Sequence, residues 1–132
     1  MQVPLYFRKA KVTRVIDGDT VEMLVDNGFY TTIGGGYARF RLYGIDTMEL
    51  NSSDPVKRGI AQKAKLRVEQ LCLNREVLIK TRRDPGDKYG RFLTEIWTIS
   101  TEDGMTVTPG EPSVNQTLVN ENLAVAYFGG TK

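Results

Sequence analysis

Alternating apolar and polar positions predict a series of short strands that pair as an antiparallel meander. Six segments show this pattern: residues 5–16, 19–26, 29–33, 37–45, 76–81 and 91–99. Turn residues separate the first four, at Asp17-Gly18, at Asp26-Asn27-Gly28 and at the glycine run 34–36. A polar loop rich in turn residues, 83–90, separates the last two strands.

Two further segments have helical periodicity. Apolar residues from Ile60 to Cys72 recur every three or four positions, which predicts a helix over residues 55–73 that begins after the capping residue Asp54. A second helix follows Ser113 and extends to Leu123. Strands with one inserted helix and another near the C-terminus predict a mixed β-barrel plus α domain. The leading candidate is a five-stranded barrel of the oligonucleotide-binding (OB) type, and a generic α+β roll is the alternative.

The 132 residues fit a single domain, 1–132, with one core. No apolar run is long enough to span a membrane, so we expect no membrane partner. The first residues are too short and too polar for a secretory signal, so a cytoplasmic location is expected unless a leader has been removed. The single cysteine, Cys72, excludes an intramolecular disulfide and is expected to be buried.

Composition narrows the possible chemistry, because the chain has no histidine. Histidine-based acid–base catalysis and zinc sites built on histidine are therefore excluded, and catalysis would rest on carboxylates, whose oxygens suit Ca²⁺ or Mg²⁺. The net charge is only +2, but the basic residues cluster: Arg8, Lys9, Lys11 and Arg14; Arg39 and Arg41; Arg82, Arg83, Lys88 and Arg91. Such clusters could bind a polyanion, or they could simply form a solvated basic face.

The stretch RVIDGDTVEM, residues 14–23, contains a carboxylate that a hairpin does not explain. Asp17-Gly18 is a strong hairpin signal, but Asp19 shares strand parity with the apolar residues Val21 and Met23. A carboxylate on an apolar face must be paired, hydrogen-bonded or bound to a metal. Pairing with a nearby arginine and metal binding both remain open at this point.

Three motifs occur in a specific order: IDGDT (16–20), RFRLYGIDTME (39–49) and DKYGR (87–91). Together they resemble the thermonuclease family of staphylococcal-nuclease-like domains, from about residue 9 to Tyr127. The resemblance implies a metal site at Asp19, Asp46 and the Thr47 carbonyl, and catalytic roles for Arg41, Glu49 and Arg91. It also implies nucleotide contacts by Lys88, Tyr89 and Tyr127, although LAVAY is one residue shorter than the family pattern before the tyrosine.

The function implied by the resemblance is a Ca²⁺-dependent nuclease that hydrolyses DNA or RNA with low sequence specificity and leaves 3′-phosphate ends. Single-stranded DNA or RNA is the expected partner, with duplex as a second substrate, and a monomer is expected, with a dimer as the alternative. Two other functions stay open: a non-catalytic OB-fold nucleic-acid-binding module and a protein-interaction module. The binding module would bind nucleic acid without cleaving it, and the protein-interaction module would neither bind nor cleave it.

Two departures from the family pattern carry further expectations. Met48 stands where the family usually has proline, so the turn before Glu49 is less stiff and we expect a slower reaction. The segment 27–38 is longer than in the best-known family members, and we expect it to form a protruding hairpin near the cleft.

Overall fold

The computed structural model describes residues 7–28, 31–33, 39–83 and 92–127. In these ranges the elements are, in chain order, β1 (Phe7–Asp17), β2 (Thr20–Gly28), β3 (Thr31–Ile33), β4 (Arg39–Leu42), β5 (Ile45–Asp46), α1 (Pro55–Cys72), β6 (Glu76–Arg83), β7 (Phe92–Ser100), β8 (Thr108–Pro109), α2 (Val114–Asn120) and β9 (Val125–Ala126).

Five strands close into a barrel. They follow the order β1-β6-β7-β4-β2, and β2 pairs back onto β1 to complete the ring. The β4–β7 pair is parallel and the other neighbours are antiparallel. The strands β3 and β8 extend the sheet from β2 and β7, while β5 and β9 form a separate two-stranded ladder. The predicted five-stranded OB-type barrel with two helices is therefore confirmed.

The core fills the barrel with branched and sulfur-containing side chains. Its fully buried members include Val12, Val21, Met23, Leu42, Val77, Ile79 and Ile96. Helix α1 packs its buried residues Ala61, Ala64, Val68 and Cys72 toward this core, in contact with β1. Burial of Cys72 agrees with the prediction, and it raises the pKa of the thiol to about 12.

Both helices begin at the predicted caps. Asp54 accepts the Val56 N–H and Ser113 accepts the Gln116 N–H. Helix α1 ends within one residue of the prediction, but α2 ends at Asn120 rather than Leu123. The backbone turns there because Asn122 has a φ of 60°. In the part of the chain that the structure describes, neither helix is long and apolar enough to cross a membrane.

Two strand predictions need correction. The segment 37–45 is not one strand, because the chain leaves the barrel at Tyr43-Gly44, where Gly44 has a φ of 79° and the Tyr43 N–H bonds to the Thr94 carbonyl at 2.8 Å. The predicted turn at 26–28 is also wrong, since β2 runs through Gly28 and pairs with β3 after a register shift. The glycine run 34–36 and most of the 83–90 loop lie outside the described residues.

Candidate active site

A polar cleft of about 420 Å³ lies where the β1–β2 turn meets the end of β4 and the segment between β5 and α1. Its described lining residues are Asp17, Asp19, Thr20, Arg41, Asp46, Thr47, Met48, Glu49, Leu50 and Asn51. Five of the residues predicted from sequence to form the site are among them: Asp19, Arg41, Asp46, Thr47 and Glu49.

The tight β1–β2 turn sets the position of Asp19. Asp17 ends β1 and accepts the Asp19 N–H at 3.0 Å, while the Asp19 carbonyl accepts the Leu42 N–H at 2.8 Å. Gly18 lies so close to α1 that a Cβ placed on it would be 2.8 Å from the Ala64 Cβ and 3.0 Å from Thr47 Cγ2. Only glycine therefore allows the turn to pack here without a shift of its neighbours.

The Asp19 side chain points into polar surroundings rather than into the barrel core. Its two carboxylate oxygens accept the Thr20 hydroxyl and the Thr47 N–H, each at 3.3 Å, and Arg41 Nη2 lies 3.9 Å away. Burial, and after it the neighbouring Asp17, raise the pKa of Asp19 to about 6 in spite of the opposing effects of Arg41 and the Thr47 N–H. Asp19 is thus hydrogen-bonded and lies beside an arginine, yet its negative charge remains poorly compensated.

Arg41 and Asp46 bring two parts of the fold together. Arg41 lies on β4 opposite Thr20, and its Nη2 atom is 3.3 Å from Asp46 Oδ1. Asp46 belongs to β5, which is held by β9 and by a 2.7 Å hydrogen bond from the Tyr127 N–H to the Gly44 carbonyl. The Tyr127 ring centroid is 5.7 Å from Arg41 Cζ, which places this predicted binding residue at the edge of the site.

Glu49 follows on the segment between β5 and α1 and lines the same cleft as an exposed side chain. Met48, which occupies the position where the family usually has proline, is also exposed there. The predicted site residues Lys88, Tyr89 and Arg91 lie outside the described residues. Of the predicted 27–38 hairpin, the described residues 31–33 form β3 against β2.

The donor set of the cleft suits a hard divalent cation. Four carboxylates among its described residues, those of Asp17, Asp19, Asp46 and Glu49, face the single guanidinium of Arg41, so the cleft is acidic. No three acidic, cysteine or histidine side chains in the described ranges are close enough together to hold a metal unaided. A cation here would therefore take Asp19 and Asp46 as its side-chain ligands and complete its shell with backbone oxygen, such as that of Thr47, and water.

Comparison with known proteins identifies the family. The model of the family described as staphylococcal nuclease homologue matches residues 39–132. The chain belongs to this family. It is 32% identical over 117 residues to the thermonuclease of Staphylococcus intermedius, an alignment that covers 89% of this chain and 58% of the relative.

Two further relatives match over a similar span. Protein ParB of Escherichia coli is 29% identical over 120 residues, covering 90% of this chain and 57% of ParB. The thermonuclease of Staphylococcus hyicus is 29% identical over 118 residues, covering 89% of this chain and 59% of the relative. The chain thus spans less than two thirds of the length of each of these three relatives.

In this staphylococcal nuclease homologue, one residue that supports the site was not predicted from sequence. Asn115 on α2 is only 5% exposed, and its Nδ2 donates to the carbonyls of Tyr43 at 2.8 Å and Thr94 at 3.0 Å. Its Oδ1 accepts the Ile96 N–H at 3.1 Å. Asn115 therefore fixes the point at which the chain leaves the barrel, between Arg41 and Asp46. The sequence does contain one signal for it: Asn115 is a polar residue that directly follows Val114, on the side of α2 that is buried.

Proposed function

We propose that this chain is a Ca²⁺-dependent nuclease that hydrolyses phosphodiester bonds of DNA or RNA with low sequence specificity and leaves 3′-phosphate ends. One observation carries the proposal: the Asp19 and Asp46 carboxylates converge on the Arg41 guanidinium within one acidic cleft that Glu49 also lines. The family membership and the two relatives named thermonuclease support it.

Arg41 would recognise the scissile phosphate. Its planar guanidinium can pair with two phosphate oxygens at once and offset the charge that grows as the pentacoordinate state forms. Its side chain is 18% exposed and is already positioned by Asp46 and Asp19. Because these contacts already restrict the guanidinium, binding a substrate phosphate would cost little further conformational entropy. Arg91 would supply a second guanidinium.

Asp19, Asp46 and Thr47 would hold the Ca²⁺ ion. When bound, such an ion withdraws electron density from the phosphate and stabilises added negative charge. The raised pKa of Asp19 reflects a negative charge that its surroundings compensate poorly. A bound cation would neutralise this charge. Asp46 would then serve both the cation and Arg41, whose Nη2 lies 3.3 Å from Asp46 Oδ1.

Glu49 would act as the general base. Its exposed carboxylate follows Asp46 by three residues and faces the same cleft, so it can accept a proton from a water that attacks phosphorus. The water oxygen forms the new P–O bond, the bond to the 5′ oxygen breaks, and that oxygen takes a proton from solvent. The phosphate stays on the 3′ side, with Lys88, Tyr89 and Tyr127 contacting the adjoining nucleotide.

Weak sequence preference follows from the kind of contact. Guanidinium and cation contacts go to the phosphate, which is the same in every nucleotide, and aromatic stacking tolerates every base. A single strand exposes its bases for such stacking, so we expect single-stranded DNA or RNA to be preferred over duplex. A monomer would suffice for the reaction, because Asp19, Arg41, Asp46 and Glu49 meet in one cleft within a single copy of the chain.

The test is hydrolysis of labelled single-stranded and duplex DNA with Ca²⁺, with Mg²⁺ or with EDTA. We expect Ca²⁺-dependent cleavage of the single strand, and a loss of roughly 10²- to 10⁴-fold in kcat for Glu49→Gln. The matched control is Glu102→Gln, which removes an exposed carboxylate from the turn between β7 and β8. With the label on the 5′ end, phosphatase treatment should slow the migration of the labelled product in a gel, because that fragment loses a 3′-phosphate. Salt-sensitive DNA binding without cleavage in any metal would instead indicate a non-catalytic binding module.

A further inference from the structure

Three neighbouring strands place a row of charges on the outer face of the barrel. Arg14 on β1 lies opposite Glu22 on β2, and Glu22 lies opposite Arg39 on β4. Along the same two strands, the next pair on that face is Thr20 with Arg41. The row therefore adjoins the cleft, and its two arginines come from clusters far apart in the sequence.

Glu22 is the buried centre of this row. Its side chain is 11% exposed, and one carboxylate oxygen lies 3.1 Å from Arg39 Nε and 3.8 Å from Arg14 Nη1. The arginine side chains themselves remain open to solvent, at 56% and 64% exposure. Arg39 uses its Nε–H for Glu22, so its two terminal nitrogens still carry N–H groups that a phosphate could accept.

We propose that Arg39, supported by Glu22 and joined by Arg14, binds a second phosphate of the nucleic-acid strand, next to the phosphate held at Arg41. This inference rests on the proposed function, since it extends that substrate along the barrel face. The row of two arginines and one glutamate carries a net charge of +1, in contrast to the acidic cleft beside it. A phosphodiester is attracted to the row without any cation.

The spacing of the two arginines on β4 suits a nucleotide chain. Residues two apart on a strand point to the same face and are separated by about 7 Å. Phosphates recur about every 3.4 Å along the axis of a stacked strand and farther apart when the strand is extended. A strand with one phosphate at Arg41 thus carries a neighbouring phosphate within reach of Arg39.

The first experiment measures binding without catalysis. A fluorescently labelled 12-nucleotide single-stranded DNA is titrated in EDTA between 50 and 200 mM salt, with wild type, Arg39→Gln and Arg14→Gln. We expect Arg39→Gln to weaken binding roughly three- to tenfold and to lower the slope of log K against log salt by about 0.7, the value for one single-strand phosphate contact. Lys63→Gln, which removes one exposed positive charge from α1, is the matched control and should change the affinity less than about twofold.

The second experiment measures turnover with substrates of two lengths. For Arg39→Gln, the KM for the 12-mer should rise several-fold relative to the KM for a dinucleotide that contains a single phosphodiester. Arg39→Lys should recover part of this ratio because it restores the charge without the fork. A destabilised barrel would affect both substrates alike, and thermal melting of each variant checks the fold.

The outcomes separate the two proposals. If wild type cleaves DNA but Arg39→Gln and Arg14→Gln behave like Lys63→Gln, the second phosphate site is wrong and Glu22 serves only to join the strands. If wild type binds DNA with the expected loss in Arg39→Gln but never cleaves, the phosphate site stands and the nuclease proposal fails.

Discussion

Arg41 and Asp46 form an ion pair at 3.3 Å that links the barrel wall to the small β5–β9 ladder. Both side chains are largely shielded, at 18% and 24% exposure. In the proposed nuclease, the Asp46 carboxylate would be shared between the cation and Arg41, the residue proposed to bind the phosphate. Loss of Asp46 should affect both partners, with the stronger effect on the cation because it carries two charges.

The first prediction concerns calcium binding at Asp46. Asp46→Asn keeps the shape of the side chain but removes one of two anionic ligands, so the Ca²⁺ affinity should fall by at least about tenfold. Isothermal titration calorimetry in metal-depleted buffer measures this directly. Glu102→Gln is the control, since it removes a carboxylate away from the cleft. Equal Ca²⁺ affinity of Asp46→Asn and wild type would place the cation elsewhere.

The second prediction is a pH dependence of stability caused by Asp19. Its pKa is about 6 in the folded protein and 3.8 ordinarily, so the folded state binds the proton more tightly than the unfolded state. The stabilising contribution of the protonated group is complete below about pH 4 and is lost as the pH rises through 6. In EDTA, the free energy of unfolding should fall over this range by up to about 3 kcal/mol from this group.

Asp19→Asn tests the sign of that effect. The amide stays neutral, so the variant should gain stability over wild type at pH 8 and lose this advantage toward pH 4. Urea unfolding in EDTA at several pH values gives the two curves, and Glu102→Gln supplies the matched control. Parallel curves for wild type and Asp19→Asn would mean that the carboxylate is not destabilised by burial. Adding Ca²⁺ at pH 8 should stabilise wild type but not the variant.

Local patterns predicted the helices and most of the barrel strands because burial on one face imposes a visible period. The break between β4 and β5 also left a trace, since the buried residues Phe40, Leu42 and Ile45 shift from a spacing of two to a spacing of three. A single strand cannot bury residues spaced in that way on one face. Alternation alone predicts one strand over 37–45, whereas Gly44, with its φ of 79°, marks the break.

The contacts of Glu22 and Asn115 could not be predicted in the same way. The Glu22 carboxylate joins Arg14 and Arg39 only because the barrel closes with β1 and β4 on either side of β2. Asn115 bonds to the carbonyl of Tyr43, which is 72 residues away. Such partners depend on the register between distant segments, which no local period contains. The main candidate residues were found instead through the resemblance to a family.

The third prediction tests Asn115 as a support of the site. Asn115→Ala removes the partner of a buried N–H and of two carbonyls, so it should lower the free energy of unfolding by about 2–4 kcal/mol. The matched control is Asn120→Ala at the exposed end of the same helix, which should change it by less than about 0.5 kcal/mol. Chemical denaturation compares the two. A similar small effect in both variants would show that α2 is held without this hydrogen-bond network.

The fourth prediction uses a pair of glycines with opposite surroundings. Gly18→Ala places a methyl group 2.8 Å from the Ala64 Cβ and 3.2 Å from the Thr47 Cβ, and rotation of a side chain moves neither of these atoms. The β1–β2 turn must therefore move away from α1, which should lower stability by about 1–3 kcal/mol and displace both Asp19 and Thr47. Calcium affinity and nuclease activity should fall with it.

Gly59→Ala is the matched substitution, because a Cβ at Gly59 would meet nothing within 4 Å. Gly59 lies inside α1, where alanine favours the helix by about 1 kcal/mol, so this variant should be more stable than wild type and equally active. Thermal melts and calcium titrations of both variants complete the comparison. If Gly18→Ala melts at the same temperature as Gly59→Ala, the β1–β2 turn accommodates the added methyl group without loss of stability. The close approach of Gly18 to α1 would then not fix the position of Asp19.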